Sequence, residues 1–151
     1  MNKLILAFLF LNFSLSAVFC CLCVPMTPLQ QYCVANTVVK AKITGEKSAQ
    51  LVTEYDVDIL EVIKSPNLPS SVKILTPSQD GICGVALEKN STYILTANYL
   101  EPNLHISSCG YHVNLDKATE EEKKAALDPL KPSLDCSRPA ARPPNVPAGS
   151  G

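Results

Sequence analysis

Fifteen of the first 20 positions are apolar, including an unbroken run at 4–11 behind Lys3, whereas later apolar positions come in short stretches that alternate with polar ones. Positions 37–44 put Val39, Ala41 and Ile43 on one face against Lys40 and Lys42, the period of two that predicts a strand. Positions 53–63 alternate Tyr55, Val57 and Ile59 against Glu54, Asp56 and Asp58, then change phase at Ile59-Leu60. A strongly bent strand with a β-bulge follows from that shift. Further short strands are predicted at 72–75, 93–99 and 104–107, separated by Pro, Gly and Asn.

Two helix starts are legible. Thr27-Pro28-Leu29-Gln30 has an N-cap hydroxyl, Pro in the first helical position and Gln three residues after the Thr, a capping box for a short helix ending at Val34. Thr119-Glu120-Glu121-Glu122 is a second, opening a helix expected to reach Leu127 before Pro129 stops it. Several short strands between two helices predict an all-β fold with flanking helices, built as a small barrel.

Lys3, the apolar run and the small residues Ser14, Ser16 and Ala17 have the n-, h- and c-regions of a secretory signal peptide, so residues 1–20 are expected to be removed. The run is too short to span a bilayer, and nothing after it approaches that length, which predicts a secreted, extracellular protein without membrane attachment. Without Lys3 the chain has 12 basic and 14 acidic side chains, a balance that excludes a generic nucleic-acid binder. Residues 137–151 contain four prolines and little apolar side chain, and are expected to form a disordered tail.

The seven cysteines, Cys20, Cys21, Cys23, Cys33, Cys83, Cys109 and Cys136, make an odd number in an oxidising compartment. Cleavage between Cys20 and Cys21 leaves six for three bridges, although cuts after Ser16 or Ala17 are chemically acceptable too. Six cysteines allow fifteen pairings. All four phenylalanines lie in the first 20 residues and the chain has no Trp, so the remaining core consists of Val, Ile, Leu and Tyr and depends on cross-links. Chain-entropy reasoning assigns about 4 kcal/mol to closing a loop of domain length, an upper bound that does not add across bridges.

Cys21-Leu22-Cys23-Val24-Pro25, Cys33 ten residues on, Cys83-Gly84 and the Cys109 that ends Leu104-His105-Ile106-Ser107-Ser108-Cys109 form a specific pattern. The stretch 21–136 resembles the inhibitory N-terminal domain of the tissue inhibitors of metalloproteinases. The resemblance implies a netrin-like domain, a five-stranded OB-like barrel stapled by three disulfides: Cys21 to Cys83, Cys23 to Cys109 and Cys33 to Cys136. It also implies a monomeric secreted inhibitor of zinc metalloendopeptidases such as matrix metalloproteinases, with no cofactor of its own and without the second domain of longer family members. In that role the amine and carbonyl of Cys21 chelate the partner's zinc, and Leu22 enters the specificity pocket. Val24 and Pro25 follow the cleft, with Gly81, Ile82 and Cys83 alongside. The bridges at Cys21 and Cys23 preorganise the terminus.

This chain departs from the family in two places: Leu22 stands where a small hydroxyl residue is common, and the 44–53 hairpin is short. His105 and His112, seven apart, do not make a zinc site with the cysteines committed to bridges. No nucleophile elbow, zinc-protease helix motif or phosphate loop is present, so no enzyme activity is expected. Asn90-Ser91-Thr92 is an N-glycosylation acceptor sequence. The competing reading is a secreted netrin-like binding or adhesion module that inhibits no protease; a matrix component would need repeats that the chain lacks.

Overall fold

The computed structural model describes residues 21–69, 71–78, 83–131 and 133–137. The expected signal segment, the expected tail beyond Ser137, and Asp80, Gly81 and Ile82 lie outside the described residues. Both capping boxes form. The Thr27 hydroxyl accepts from the Gln30 N–H and the Gln30 side chain accepts from the Thr27 N–H, starting helix α1 (Pro28–Val34). Thr119 and Glu122 do the same for helix α2 (Glu120–Leu127), and Pro129 falls in a 3-10 turn, Asp128–Leu130.

The strands are β1 (Thr37–Ser48), β2 (Val52–Lys64), β3 (Lys73–Pro77), β4 (Thr92–Leu100), β5 (Asn103–His105) and β6 (His112–Asn114). They run β1-β2-β3-β5-β4, and β4 pairs back onto β1, so five strands close a barrel. Among the described strands only β3 and β5 pair in parallel; β6 joins the edge of β4 beside β5. This is the OB-like barrel with flanking helices expected from the sequence.

The predicted bulge lies at Leu60, where pairing steps from Lys40↔Glu61 to Ala41↔Ile59 and leaves Leu60 unmatched. Thr44 on β1 is skipped in the same way. Such extra residues increase local twist, which lets so short a sheet close. The strand bounds shift by one or two residues elsewhere, and three larger differences from the sequence expectation stand out. β1 continues to Ser48, because Lys47 faces Glu54 and Glu46 faces Tyr55 across the hairpin, and cross-strand pairing outweighs weak propensity. The 104–107 strand is shorter, and β6 was not expected at all, since three residues carry no readable period.

Alternation sorts the core into two clusters. Val39, Ala41, Ile43, Tyr55, Ile74, Leu95, Ala97 and Leu104 fill the barrel interior. On the outer face, Val38 and Ile94 meet Tyr32 of α1 and Ala126 of α2. The Tyr32 hydroxyl donates to the Ala126 carbonyl at 2.9 Å and its ring meets Tyr111 edge-on, so the two helices are joined over one patch of barrel. Burial pushes the Tyr32 phenol well above its ordinary pKa, so it remains a donor. Lys64 Nζ donates to the carbonyls of Tyr32 and Cys33 at 3.3 and 2.7 Å, satisfying the end of α1.

Tyr55 reaches from β2 through the interior. Its hydroxyl donates to the Val85 carbonyl and accepts from the Leu87 N–H, both at 3.1 Å, and so anchors a segment with no secondary structure. Replacing Tyr55 by Phe keeps the ring but leaves that buried N–H without a partner. Equilibrium denaturation is expected to show a loss of about 1–3 kcal/mol. A change below about 0.5 kcal/mol, the size of an ordinary surface substitution, would mean that Tyr55 acts by packing alone.

Candidate functional site

The segment from Cys21 to Met26 has no helix or strand, and bridges hold its first residues. Cys21 is joined to Cys83 and Cys23 to Cys109, with Cα separations of 5.6 and 5.1 Å, inside the ordinary disulfide range. Cys33 in α1 is joined to Cys136 beyond α2, Cα atoms 5.5 Å apart. This is the pairing that the family resemblance implies.

Two half-cystines separated by a single residue thus tie one strap of chain to two different loops. The loops also contact each other directly, the Ser108 N–H donating to the Cys83 carbonyl at 2.9 Å. On the Cys109 side, Gln31 Nε2 of α1 donates to the Cys109 carbonyl at 3.1 Å, and the Gly110 N–H turns back onto Ser107. On the Cys83 side, Thr76 at the end of β3 accepts from the Val85 N–H at 3.0 Å, next to the carbonyl that Tyr55 holds.

Cys83 has φ 77°, a left-handed conformation that side-chain-bearing residues seldom adopt. Gly84 follows it pressed against β3: a Cβ there would lie 2.3 Å from the Pro77 carbonyl oxygen and 2.8 Å from that of Ser78. The glycine is therefore required by close backbone approach.

Between its bridged neighbours, Leu22 is 96% exposed, and Val24 is 72% exposed. Pro25 is exposed as well. The tip presents apolar side chains to solvent on a backbone that cross-links prevent from collapsing inward. An open cleft of about 600 Å³ adjoins it, sharing Met26 and Cys109 and edged by Val34, Leu51, Val52 and Pro77. Sequence reading gave no sign of this edge, because its residues come from one helix end, one turn and two strand ends.

Of the expected site residues, the structure brings together Cys21, Leu22, Cys23, Val24, Pro25 and Cys83; Gly81 and Ile82 lie outside the described residues. Asn90 is exposed, in the turn preceding β4, with its N–H bonded to the Ile43 carbonyl. His105 borders the cleft, while His112 is packed with Nε2 sealed from solvent. Burial brings the His112 imidazole down to about 4. No group of three or more His, Cys, Asp or Glu among the described residues is placed to hold a metal ion. The supporting roles of Gln31, Thr76, Tyr55 and Ser108 had no sequence signal, since each contact joins separate segments, from 9 residues apart for Thr76 to 78 for Gln31.

A family model described as tissue inhibitor of metalloproteinase matches residues 19–138. Metalloproteinase inhibitor 3 of Gallus gallus is 26% identical over 110 residues, which are 69% of this chain and 52% of that protein. Metalloproteinase inhibitor 4 of Mus musculus is 30% identical over 104 residues, 60% of this chain and 46% of that protein. Metalloproteinase inhibitor 2 of Cricetulus longicaudatus is 24% identical over 129 residues, 77% and 65% respectively. The chain spans about half the length of the first two relatives.

Replacing Gly84 by Ala forces the chain away from two backbone oxygens that cannot yield. A loss of about 1–3 kcal/mol is expected in denaturant titration, with incomplete Cys21–Cys83 pairing on peptide mapping. Parental stability together with full pairing would refute the close-approach argument.

Proposed function

Because the chain belongs to the tissue inhibitor of metalloproteinase family, we propose that it is a secreted, monomeric protein inhibitor of zinc metalloendopeptidases of the matrix-metalloproteinase type, and not itself an enzyme. The observation that carries this reading is Leu22, almost fully exposed between two half-cystines fixed to mutually bonded loops. An apolar side chain held rigidly in water has no part in the fold and is suited to a partner's pocket.

The chemistry follows from removal of residues 1–20. A catalytic zinc has three protein ligands and one open position occupied by water. The amine and carbonyl oxygen of one residue close a five-membered chelate, so an N-terminal Cys21 displaces that water with two donors. An α-amine has a reference pKa of about 7.7–8.0, so its neutral donor form is accessible near physiological pH, and coordination favours deprotonation further. Leu22 then fills the specificity pocket beside the metal. Val24 and Pro25 line the cleft, where Pro25 restricts the backbone, and Gly81, Ile82 and Cys83 contact neighbouring subsites. The zinc is the partner's, and no cofactor of the inhibitor takes part. Exposure of Asn90 in its turn supports glycosylation there.

Leu22 is expected to matter for binding and not for folding. Replacing Leu22 by Gly should weaken inhibition by about 1.5–3 kcal/mol, as measured by titration of a susceptible protease, with melting unchanged. Retained affinity with a large drop in melting temperature would assign Leu22 to the fold instead.

The amine is tested separately. Adding one residue before Cys21, or acetylating its nitrogen, leaves the barrel intact but removes the chelate. Inhibition should be largely lost at parental thermal stability. In the unmodified protein, inhibition should weaken as pH falls below the amine's pKa, with the enzyme's own titration measured in parallel. An extended protein that inhibits as well as the parent would overturn the chelation mechanism and favour a binding module of another kind.

A further inference from the structure

We propose that the connection 107–112 is an acid-sensitive clamp on the tip, held shut by neutral His112 and opened when its imidazole takes up a proton. The clamp is a property of this loop and β6, whatever the tip binds; that opening releases a metalloproteinase rests on the inhibition proposed above.

The imidazole of His112 is fitted into the structure as a neutral ring. Its Nε2 is sealed from solvent and has no hydrogen-bond partner among the described residues. A neutral ring can leave that nitrogen as a bare lone pair with the proton on Nδ1, but a protonated ring carries N–H on both and needs an acceptor at each. Gly110 packs directly over the site: a Cβ there would be 3.1 Å from Nε2 and 3.0 Å from Thr96 Oγ1. The Thr96 hydroxyl already accepts from the Tyr111 N–H at 2.7 Å and donates to the Tyr111 carbonyl at 3.3 Å.

Titratable groups on the surrounding elements do not compensate a charge here. They are Tyr93 and Tyr99 on β4, Tyr111 and Asp116 flanking β6, Tyr32 on α1, Glu120, Glu121, Glu122, Lys123 and Lys124 on α2, and His105 at the end of β5. None of them hydrogen-bonds or ion-pairs with His112 among the described residues, and burial is the cause that brings the imidazole down to about 4. Once the loop opens, the hydrated ring regains the ordinary histidine value of about 6.5.

Opening is thus linked to proton uptake, with the sign set by the lowered value in the closed form. The closed state is fully favoured above pH 6.5 and loses ground as pH falls toward 4. Two backbone hydrogen bonds report the clamp: Ser108 N–H to the Cys83 carbonyl, which joins the two loops behind the tip, and Gly110 N–H to Ser107. Moving the imidazole displaces Gly110, and with it the loop that holds Cys109 and, through its bridge, Cys23.

Hydrogen exchange on the secreted, fully oxidised protein tests this without any protease. After correction for intrinsic rates, protection of the Ser108 and Gly110 amides should fall by about 50-fold between pH 7 and pH 4.5, while the Ala41 and Leu95 amides of the barrel change far less. In His112→Gln the pH response of the two loop amides should vanish. An equal response in that variant, or a uniform fall across barrel and loop, would overturn the clamp. Should the variant fail to fold, the parent's own ring decides: proton NMR should find His112 titrating well below pH 6, and a midpoint near 6.5 refutes the proposal.

Discussion

Everything at the tip depends on two disulfides whose first half-cystines have a single residue between them. A chain segment with no helix and no strand has no hydrogen-bond ladder to hold it, and such segments are ordinarily mobile. Here Cys21 and Cys23 are fastened to loops 62 and 86 residues away in sequence, and the loops are hydrogen-bonded to each other through Ser108 and Cys83. The two bridges prevent rotation of the strap about either attachment, which one alone would allow. Leu22 can therefore remain in water, because the covalent constraint denies it an apolar surface to fold back on.

The barrel supplies what the bridges require, two loops at fixed separation. Its interior has no Phe or Trp, so the positioning is done by polar groups placed inside an aliphatic core. Tyr55 spans the interior to hold Val85 and Leu87, and Thr76 holds Val85 from the other side, so the chain leaving Cys83 is fixed by side chains of β2 and β3. Gln31 and Thr96 hold the Cys109 loop from α1 and β4. Buried polar contacts of this kind cost more when left unmade than they contribute when made, which confines each loop to one arrangement.

Where the physics was local, it was legible in the sequence. Both capping boxes involve residues three apart, and both helices start where those residues stand. The phase change at Ile59-Leu60 showed the bulge, since a period of two cannot slip without exposing the error. Pairing of the cysteines was different: fifteen connectivities were open on the residues alone, and only the family pattern narrowed them. Unreadable features were those made across long sequence distances, such as Gln31 to Cys109 and Tyr55 to Val85, where neither partner's neighbours signal the contact. The extension of β1 beyond Thr44 was missed for a related reason, because Glu46 and Lys47 are stabilised in a strand by Tyr55 and Glu54 opposite and not by their own preference.

The two anchoring loops are held by different means, and this makes the tip asymmetric. The Cys83 loop leans on β2 and β3 through a phenol whose burial keeps it a neutral donor and through a glycine that cannot be enlarged. The Cys109 loop leans on β4 and α1 through a threonine hydroxyl and an amide, with an imidazole packed beneath Gly110. Of these supports only the imidazole changes charge at moderately acid pH. A perturbation of the β4–β6 side is thus transmitted to Cys23 and Val24, while Cys21 stays with the β2–β3 side. The position of Leu22, between them, is set by whether the two sides remain joined at Ser108 and Cys83, so the shape offered to a partner is a property of the whole barrel and not of the five residues that touch it.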